Sequence, residues 1–389
     1  MIISPAARLA DVKEYYFARK LREIRSRMAA GESIINLGIG NPDMMPSEDT
    51  IKELVNRAVE PGNHGYQPYK GIPQLRSAYA AWYFDTYGVK LDPDQEILPL
   101  MGSKEGIMHI SMAFLNPGDK VLVPNPGYPT YTSISRLVGA EIVYYELNEE
   151  NNWLPDLAAL ADQDLSQVKL MWINYPHMPT GTNASPEVLT QLVEFAQEHQ
   201  ILLCHDNPYS LVLNPEPRSI FSIPGSKEVA VELNSLSKSH NMAGWRMGMV
   251  AGTLEYVATI LKVKSNMDSG MFMPMQAAAA KALGNSYQWH AERNEVYAYR
   301  RQLAERMLKV LGCEFRSDQV GMFVWAKVPN QIESGAWFSD WVLDQSSVFI
   351  APGFIFGSQG ERYVRISLCA PTAQMEQALE RLNSLVVKG

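Results

Sequence analysis

Lys238 sits in the run Ser235-Leu-Ser-Lys-Ser-His-Asn-Met-Ala-Gly-Trp-Arg246, after the apolar, β-prone stretch Val229 to Leu233. An amine held at a strand end and partly stripped of water can condense with an aldehyde as a Schiff base. Ser235, three residues earlier, and Arg246, eight residues later, can both donate to a phosphate, the arginine through a bidentate fork. A second chemical position closes the run Ile201-Leu-Leu-Cys-His-Asp206. An acid at the end of so apolar a strand needs a partner, because an unpaired buried carboxylate is costly. Tyr209 follows at three residues. A third is Arg365 in Tyr363-Val-Arg-Ile-Ser-Leu-Cys369, where an alternating strand turns one guanidinium inward and that group wants a carboxylate. Taken singly, each has a plain structural explanation: a solvated turn, a helix cap, a salt bridge.

These residues require elements to carry them. Short apolar runs at 96–101, 120–124, 141–147, 168–174, 201–206, 229–235 and 247–252 alternate with helical patterns, the signature of a parallel sheet with helices on both faces. The first run leads through Met101-Gly-Ser-Lys-Glu-Gly106 into a helix from Ile107 to Leu115, and free amides at such a helix start form an anion site. No Gly-Lys-Ser/Thr follows at nucleotide P-loop spacing. Tyr128, after the second run, can lie flat against a planar ring. Ahead of the sheet, helices are expected over 11–30, 47–59 and 72–87, and the extended run 34–37 meets Gly38-Ile-Gly-Asn-Pro42, whose glycines let the backbone approach a ligand. Beyond the sheet come a helix from Leu254 to about Lys264, a long charged helix from Tyr287 to Leu311, and strands near 313–315, 322–327 and 348–351. The expected fold class is α/β: a large domain over 46–282 with a seven-stranded, mostly parallel sheet, and a smaller α+β domain made of 1–45 with 283–389.

Composition narrows the function classes. The net charge of −8 comes from interspersed acids and bases with no basic block, so neither nucleic acid nor a membrane surface is an expected partner. Three widely spaced cysteines and seven scattered histidines give neither a disulfide framework nor a metal-ligand spacing. With no signal-like apolar run at the start and no stretch of 18 apolar residues, a cytoplasmic location and no metal are expected.

The whole set resembles the class I aminotransferases of the fold type I pyridoxal-phosphate enzymes, with motifs at 36–42, 66–71, 102–106, 128, 174–181, 206–209, 235–246 and 363–368 in the family's order. The resemblance implies a pyridoxal 5'-phosphate cofactor bound through Lys238 as a Schiff base. Ser235, Arg246 and the turn Gly102-Ser103-Lys104 would hold its phosphate, Tyr128 would stack on its ring, Asp206 would meet the ring nitrogen and Tyr209 the phenolic oxygen. Arg365 and the backbone of Gly40 would take the substrate carboxylate. Tyr66 would reach the phosphate of a partner subunit in a homodimer with shared active sites, and the loop 265–272 would lie at the interface. One departure stands out: the family's Asn-Pro-Thr-Gly reads Met178-Pro-Thr-Gly181 here, and a thioether cannot donate a hydrogen bond. Either Tyr209 holds the phenolic oxygen alone, or Asn174 or His177 partly replaces the missing donor. The text around Lys238 is most similar to the alanine and LL-diaminopimelate aminotransferase group. An aminotransferase acting on an α-amino acid and a 2-oxo acid is the expectation, of alanine, LL-diaminopimelate or broad specificity. Arg22, Lys70 and Lys104 are the cations available for a second carboxylate. A pyridoxal-phosphate carbon–sulfur β-lyase would share the cofactor residues, and a non-catalytic regulator domain would need a DNA-binding segment ahead of Asp11.

Overall fold

The computed structural model describes residues 3–9 and 16–385. Seven strands form one sheet: β2 (Ile97–Leu100), β3 (Lys120–Asn125), β4 (Glu141–Glu146), β5 (Val168–Ile173), β6 (Leu202–Asp206), β7 (Ala230–Ser235) and β8 (Gly248–Ala251), in the order β2-β8-β7-β6-β5-β3-β4. All pairings are parallel except those of β8, which runs antiparallel to both β2 and β7. Strands β2, β6, β7 and β8 are buried along their whole length, as expected where helices cover both faces and the strands read as continuous apolar runs. On one face Ile107, Ile110, Tyr131, Ile134, Val257 and Ile260 pack the helices Ser103–Phe114, Pro129–Leu137 and Leu254–Lys264 against the sheet. On the other, Leu75, Tyr79, Leu189 and Leu192 do so for the helices Pro73–Tyr87 and Pro186–His199.

That second core runs on without a break into the remaining elements. The helices Tyr287–Val310 and Thr372–Asn383 and a three-stranded antiparallel sheet, in the order β11 (Ala351–Pro352), β12 (Tyr363–Ser367), β9 (Phe323–Lys327), share it through Leu303, Met307, Val324, Ile366 and Leu379. A short parallel pair, β1 (Ile35–Asn36) with β10 (Val348–Phe349), ties the start of the chain to the same region.

The expected strands are all found in the large sheet, with ends moved by about a residue. Three other expectations change. The helix after β2 starts at Ser103, not Ile107, so the glycine-serine turn is itself the helix start. The strand expected near 313–315 is reduced to a bridge between Glu314 and Lys327. Gly312 at φ +69° turns the chain before it, and a tight Arg316–Asp318 ion pair turns it afterwards, leaving one residue in register. The run 348–351 divides between two sheets, β10 pairing with β1 and β11 with β12. The N-terminal helix is described from Tyr16 to Ala29; residues 11–15 of the expected helix lie outside the described residues.

Candidate active site

The large sheet presents the carboxyl ends of its parallel strands to one edge, where ligands bind in open α/β sheets. Because β8 runs the other way, its start lies at that same edge. The chain leaving β7 through Lys238 therefore returns there with Arg246, and Ser235 stands opposite Gly248 in the pairing. A cavity of about 520 Å³ opens at this edge and is bounded on its far side by residues of β9, β12 and the N-terminal helix. It gathers Gly40, Ser103, Lys104, Tyr128, Asn174, Asp206, Tyr209, Ser235, Lys238, Arg246 and Arg365. Of the other residues singled out from the sequence, Gly102 lies directly behind Arg246. Tyr66 does not line the cavity of its own chain and is 92% exposed.

The anion end of the cavity is built from backbone and guanidinium together. Gly102, at φ +87°, caps the helix Ser103–Phe114. A Cβ on it would collide with Arg246 Nη2, so glycine allows the guanidinium to lie against this turn, where Nη2 is 3.4 Å from the Met101 carbonyl. Arg246 itself adopts φ +56°, a conformation that costs a non-glycine residue free energy and recurs where function over-determines the backbone. Its Nη1 donates to the Ala243 carbonyl at 3.0 Å and lies 3.4 Å from Ser237 Oγ. Ser235 Oγ contacts Ser237 Oγ at 2.9 Å and accepts from the Ser237 amide, and Ser103 Oγ is buried without a hydrogen-bond partner. Hydroxyls, amides and a guanidinium converge, which is a donor set for a phosphate.

Asp206 lies in the middle, fully buried. One of its oxygens, Oδ2, accepts from Tyr131 Oη at 2.8 Å, while Oδ1 has no partner. Burial pushes its carboxyl up to about 6, with the Tyr131 hydrogen bond opposing the shift. An orphaned carboxylate oxygen facing a cavity calls for an N–H, and the pyridinium nitrogen of pyridoxal phosphate supplies one in a ring whose phosphate would occupy the donor set just described. The residues present therefore fit that group. Tyr128 stands at the cavity wall, with its ring edge-on to Tyr131 at 5.5 Å, so the two tyrosines divide the work: one faces the space, the other holds the acid. Asn174 is spent on the scaffold, its amide donating to the Asp206 carbonyl at 2.6 Å and its oxygen accepting from the Met178 amide at 2.8 Å. His177 is buried against Thr180 and does not reach the cavity; burial lowers it to about 3. Of the three candidates for the donor that Met178 cannot supply, His177 is thus ruled out by position.

Lys238 Nζ donates to the Gly40 carbonyl. Its burial, and after that the charges of Arg365 and Arg246, hold it below the usual lysine range, which favours the neutral, nucleophilic amine. The guanidinium of Arg365, on β12, lies 3.8 Å from the Phe323 ring centre and 4.5 Å from that of Phe356. It donates to the Gly38 carbonyl at 2.9 Å and touches Met178 Sδ at 3.2 Å. The Gly38 carbonyl thus orients the arginine. Gly40 is a glycine because a Cβ would strike Phe323. Tyr209 has its ring edge-on to Phe323 at 5.7 Å, and burial raises its hydroxyl.

Sequence reasoning missed Ser237, Tyr131 and the apolar walls Phe17, Leu21, Ile39, Phe323 and Phe356. Ser237 stands next to the lysine, and Tyr131 lies one helical turn from Tyr128, so local signals existed for both. The apolar walls come from four distant segments and carry no local signal.

The pattern described as aminotransferase class I and II matches residues 32–382. An LL-diaminopimelate aminotransferase of Dehalococcoides mccartyi is 41% identical over 377 residues, covering 96% of this chain and 97% of its own. That of Moorella thermoacetica is 40% identical over 385 residues, covering 98% of each. Among solved structures, substrate-bound BacF from Bacillus subtilis superposes with a TM-score of 0.93 at 34% identity over 98% of both chains. An aspartate aminotransferase mutant of Thermus thermophilus does so with a TM-score of 0.90 at 26% identity, over 98% of this chain and 99% of its own. A reactive lysine, an orphaned acid and a phosphate-sized donor set at the edge of this sheet agree with these likenesses: the chain belongs to the class I and II aminotransferases and is a pyridoxal-phosphate-dependent transaminase.

Proposed function

We propose that Lys238 is the residue that holds the cofactor and moves the proton in this transaminase. The observation that carries the assignment is the Lys238 amine, held below the usual lysine range by burial and facing a cavity that also contains the unpartnered Asp206 oxygen. When bound, pyridoxal phosphate supplies the carbonyl that captures an amino group and the ring that delocalises the electron pair left on the substrate's Cα. Ser235, Ser237, Arg246 and the amides after Gly102 would hold its phosphate. Asp206 would keep a proton on the ring nitrogen, Tyr131 holds Asp206 in place, Tyr128 would cover the ring and Tyr209 would donate to the phenolic oxygen. Arg365, held in orientation by Gly38, clamps the substrate's α-carboxylate, with the Gly40 backbone beside it. The Lys238 Nζ, once free as an amine, would be the base placed to hold and move the proton of the substrate's Cα. Its depressed basicity suits both taking up and giving up that proton.

The same reading assigns 46–282 to a cofactor-binding domain and 1–45 with 283–389 to a small domain, which the separate sheets support. A homodimer with Tyr66 directed at the partner's phosphate is supported by the exposure of Tyr66, Met45, Met267 and Phe272. A cytoplasmic location is supported by three buried cysteines, none in a disulfide. Among the described residues no helix is long and apolar enough to cross a membrane. Relatives carry the name LL-diaminopimelate aminotransferase, so LL-diaminopimelate, alanine and a broad range of amino acids are the donors to compare.

The test is the visible spectrum of the purified protein while single amino acids, and then 2-oxo acids, are added. Absorbance that falls with a donor, returns with an oxo acid and is lost in Lys238→Ala supports the assignment. An unchanged spectrum in Lys238→Ala would refute it.

A further inference from the structure

We infer that the substrate side-chain subsite is built for an apolar side chain of about aromatic size, and not for one ending in a second carboxylate or an amino acid head group. The inference rests on the reading of Lys238 as the cofactor lysine and Arg365 as the α-carboxylate clamp. With the phosphate, ring and carboxylate positions assigned, the walls that remain in the cavity are Phe17, Leu21, Ile39, Met178, Phe323 and Phe356. Three of those phenyl rings surround Arg365 itself, at 3.8, 4.5 and 6.0 Å from its guanidinium carbon. Whatever extends from an α-carbon anchored there enters hydrocarbon.

The charged side chains nearby are already engaged. Lys20, one turn from Phe17 on the same helix, is 6% exposed and pairs with Glu23 and Asp340 at 2.8 Å each. Asp43, close behind the Gly38–Gly40 segment, is paired with Arg300 at 2.6 Å. Arg22 is exposed, where screening leaves little for a point charge to contribute, and Lys104 belongs to the phosphate turn beside Ser103, away from the phenyl rings. The loops that the family resemblance would send into a partner's site have the same character. They present Tyr66, Tyr69, Met267 and Phe272, and their acid, Asp268, is held by Lys264 at 2.7 Å. A substrate with a distal charge would lose its hydration in this subsite without a fixed counter-charge, a loss that costs several kcal/mol. An apolar side chain incurs no such cost and gains by leaving water.

The experiment uses the holoenzyme and two unreactive carboxylates, 3-phenylpropanoate and glutarate, whose dissociation constants are read by calorimetry. Alongside it, kcat/KM is measured for phenylalanine, leucine, aspartate and LL-diaminopimelate as donors. The expected result is 3-phenylpropanoate bound at least about tenfold tighter than glutarate, with the apolar donors favoured by about 100-fold. Leu21→Arg, which puts a cation on the apolar wall, is expected to narrow or reverse that ratio. Glutarate bound as well as 3-phenylpropanoate, or LL-diaminopimelate used as well as phenylalanine, overturns the inference and leaves the transaminase assignment standing. Failure of both carboxylates to bind overturns it together with the role of Arg365. Absence of a Lys238-dependent absorbance removes the reading beneath it.

Discussion

Replacing Asp206 with asparagine is expected to stabilise the cofactor-free protein while weakening its hold on the cofactor. In the folded chain burial lifts the Asp206 carboxyl from 3.8 to about 6, so between those values the native state binds more protons than the unfolded state. Stability then falls as pH rises through that window. A shift of this size, at roughly 1.4 kcal/mol per pKa unit, amounts to about 3 kcal/mol once the carboxyl is fully ionised. Asparagine keeps an oxygen for Tyr131 Oη and removes the charge. Cofactor-free Asp206→Asn should therefore be more stable than wild type by about 3 kcal/mol at pH 7.5, and indistinguishable from it near pH 4. With cofactor that advantage shrinks to about 1 kcal/mol, because the partner of the ring nitrogen is gone: removing one side of a buried charged pair costs about 2 kcal/mol, roughly a 30-fold loss in affinity. Urea titrations at the two pH values, with and without pyridoxal phosphate, read both effects. A variant no more stable than wild type at pH 7.5, or a difference that does not change with pH, would refute the account of Asp206 as an uncompensated buried carboxylate.

Gly102→Ala should weaken pyridoxal phosphate about tenfold or more in a fluorescence titration, because a φ of +87° costs any other residue about 1–3 kcal/mol and the new methyl displaces Arg246. Met178→Asn restores a donor beside the phenolic oxygen. With that oxygen better solvated, its grip on the imine proton weakens, and the pH midpoint of the visible absorbance should drop by about one unit; an unchanged titration would contradict this. Glu232→Ala should destabilise the fold by about 3–5 kcal/mol in urea. Its carboxylate is fully buried and is contacted by Tyr83 Oη at 2.7 Å, His205 Nδ1 at 2.7 Å, the Ile220 amide at 2.8 Å and Ser219 Oγ at 3.0 Å, all of which would be left behind.

Much of this fold was readable because its strands are short apolar runs punctuated by turns, and a run buried on both faces announces itself whatever its neighbours are. The site was readable to the same extent as its residues lie at the ends of those runs: Lys238 after β7, Asp206 at the end of β6, Ser103 after β2. What stayed hidden depends on which distant segments meet. Nothing in Gly248 to Ala251 says that β8 is reversed, and the phenyl rings around Arg365 come from opposite ends of the chain. The strand near Cys313 failed for a related reason: its apolar start is real, but Gly312 and the Arg316–Asp318 turn leave it no length over which to pair. Tyr131 shows the converse. Its aromatic character was plain, yet its role depends on one hydrogen bond across 75 residues of sequence.

The reversal of β8 also bears on how this region can change over generations. Lys238 and Arg246 both lie in the connection between β7 and β8, which are themselves neighbours in the sheet, so their separation is fixed locally, whatever happens in the rest of the sheet. Residues 239–245 can accordingly exchange side chains with some freedom but cannot change in number. One inserted residue would lengthen the connection and move Arg246 off its place against Gly102 and the Ala243 carbonyl, leaving the amine without its phosphate anchor. Arg365 is under no such constraint, being carried by another sheet, and so the substrate end can be remodelled while the cofactor end stays as it is.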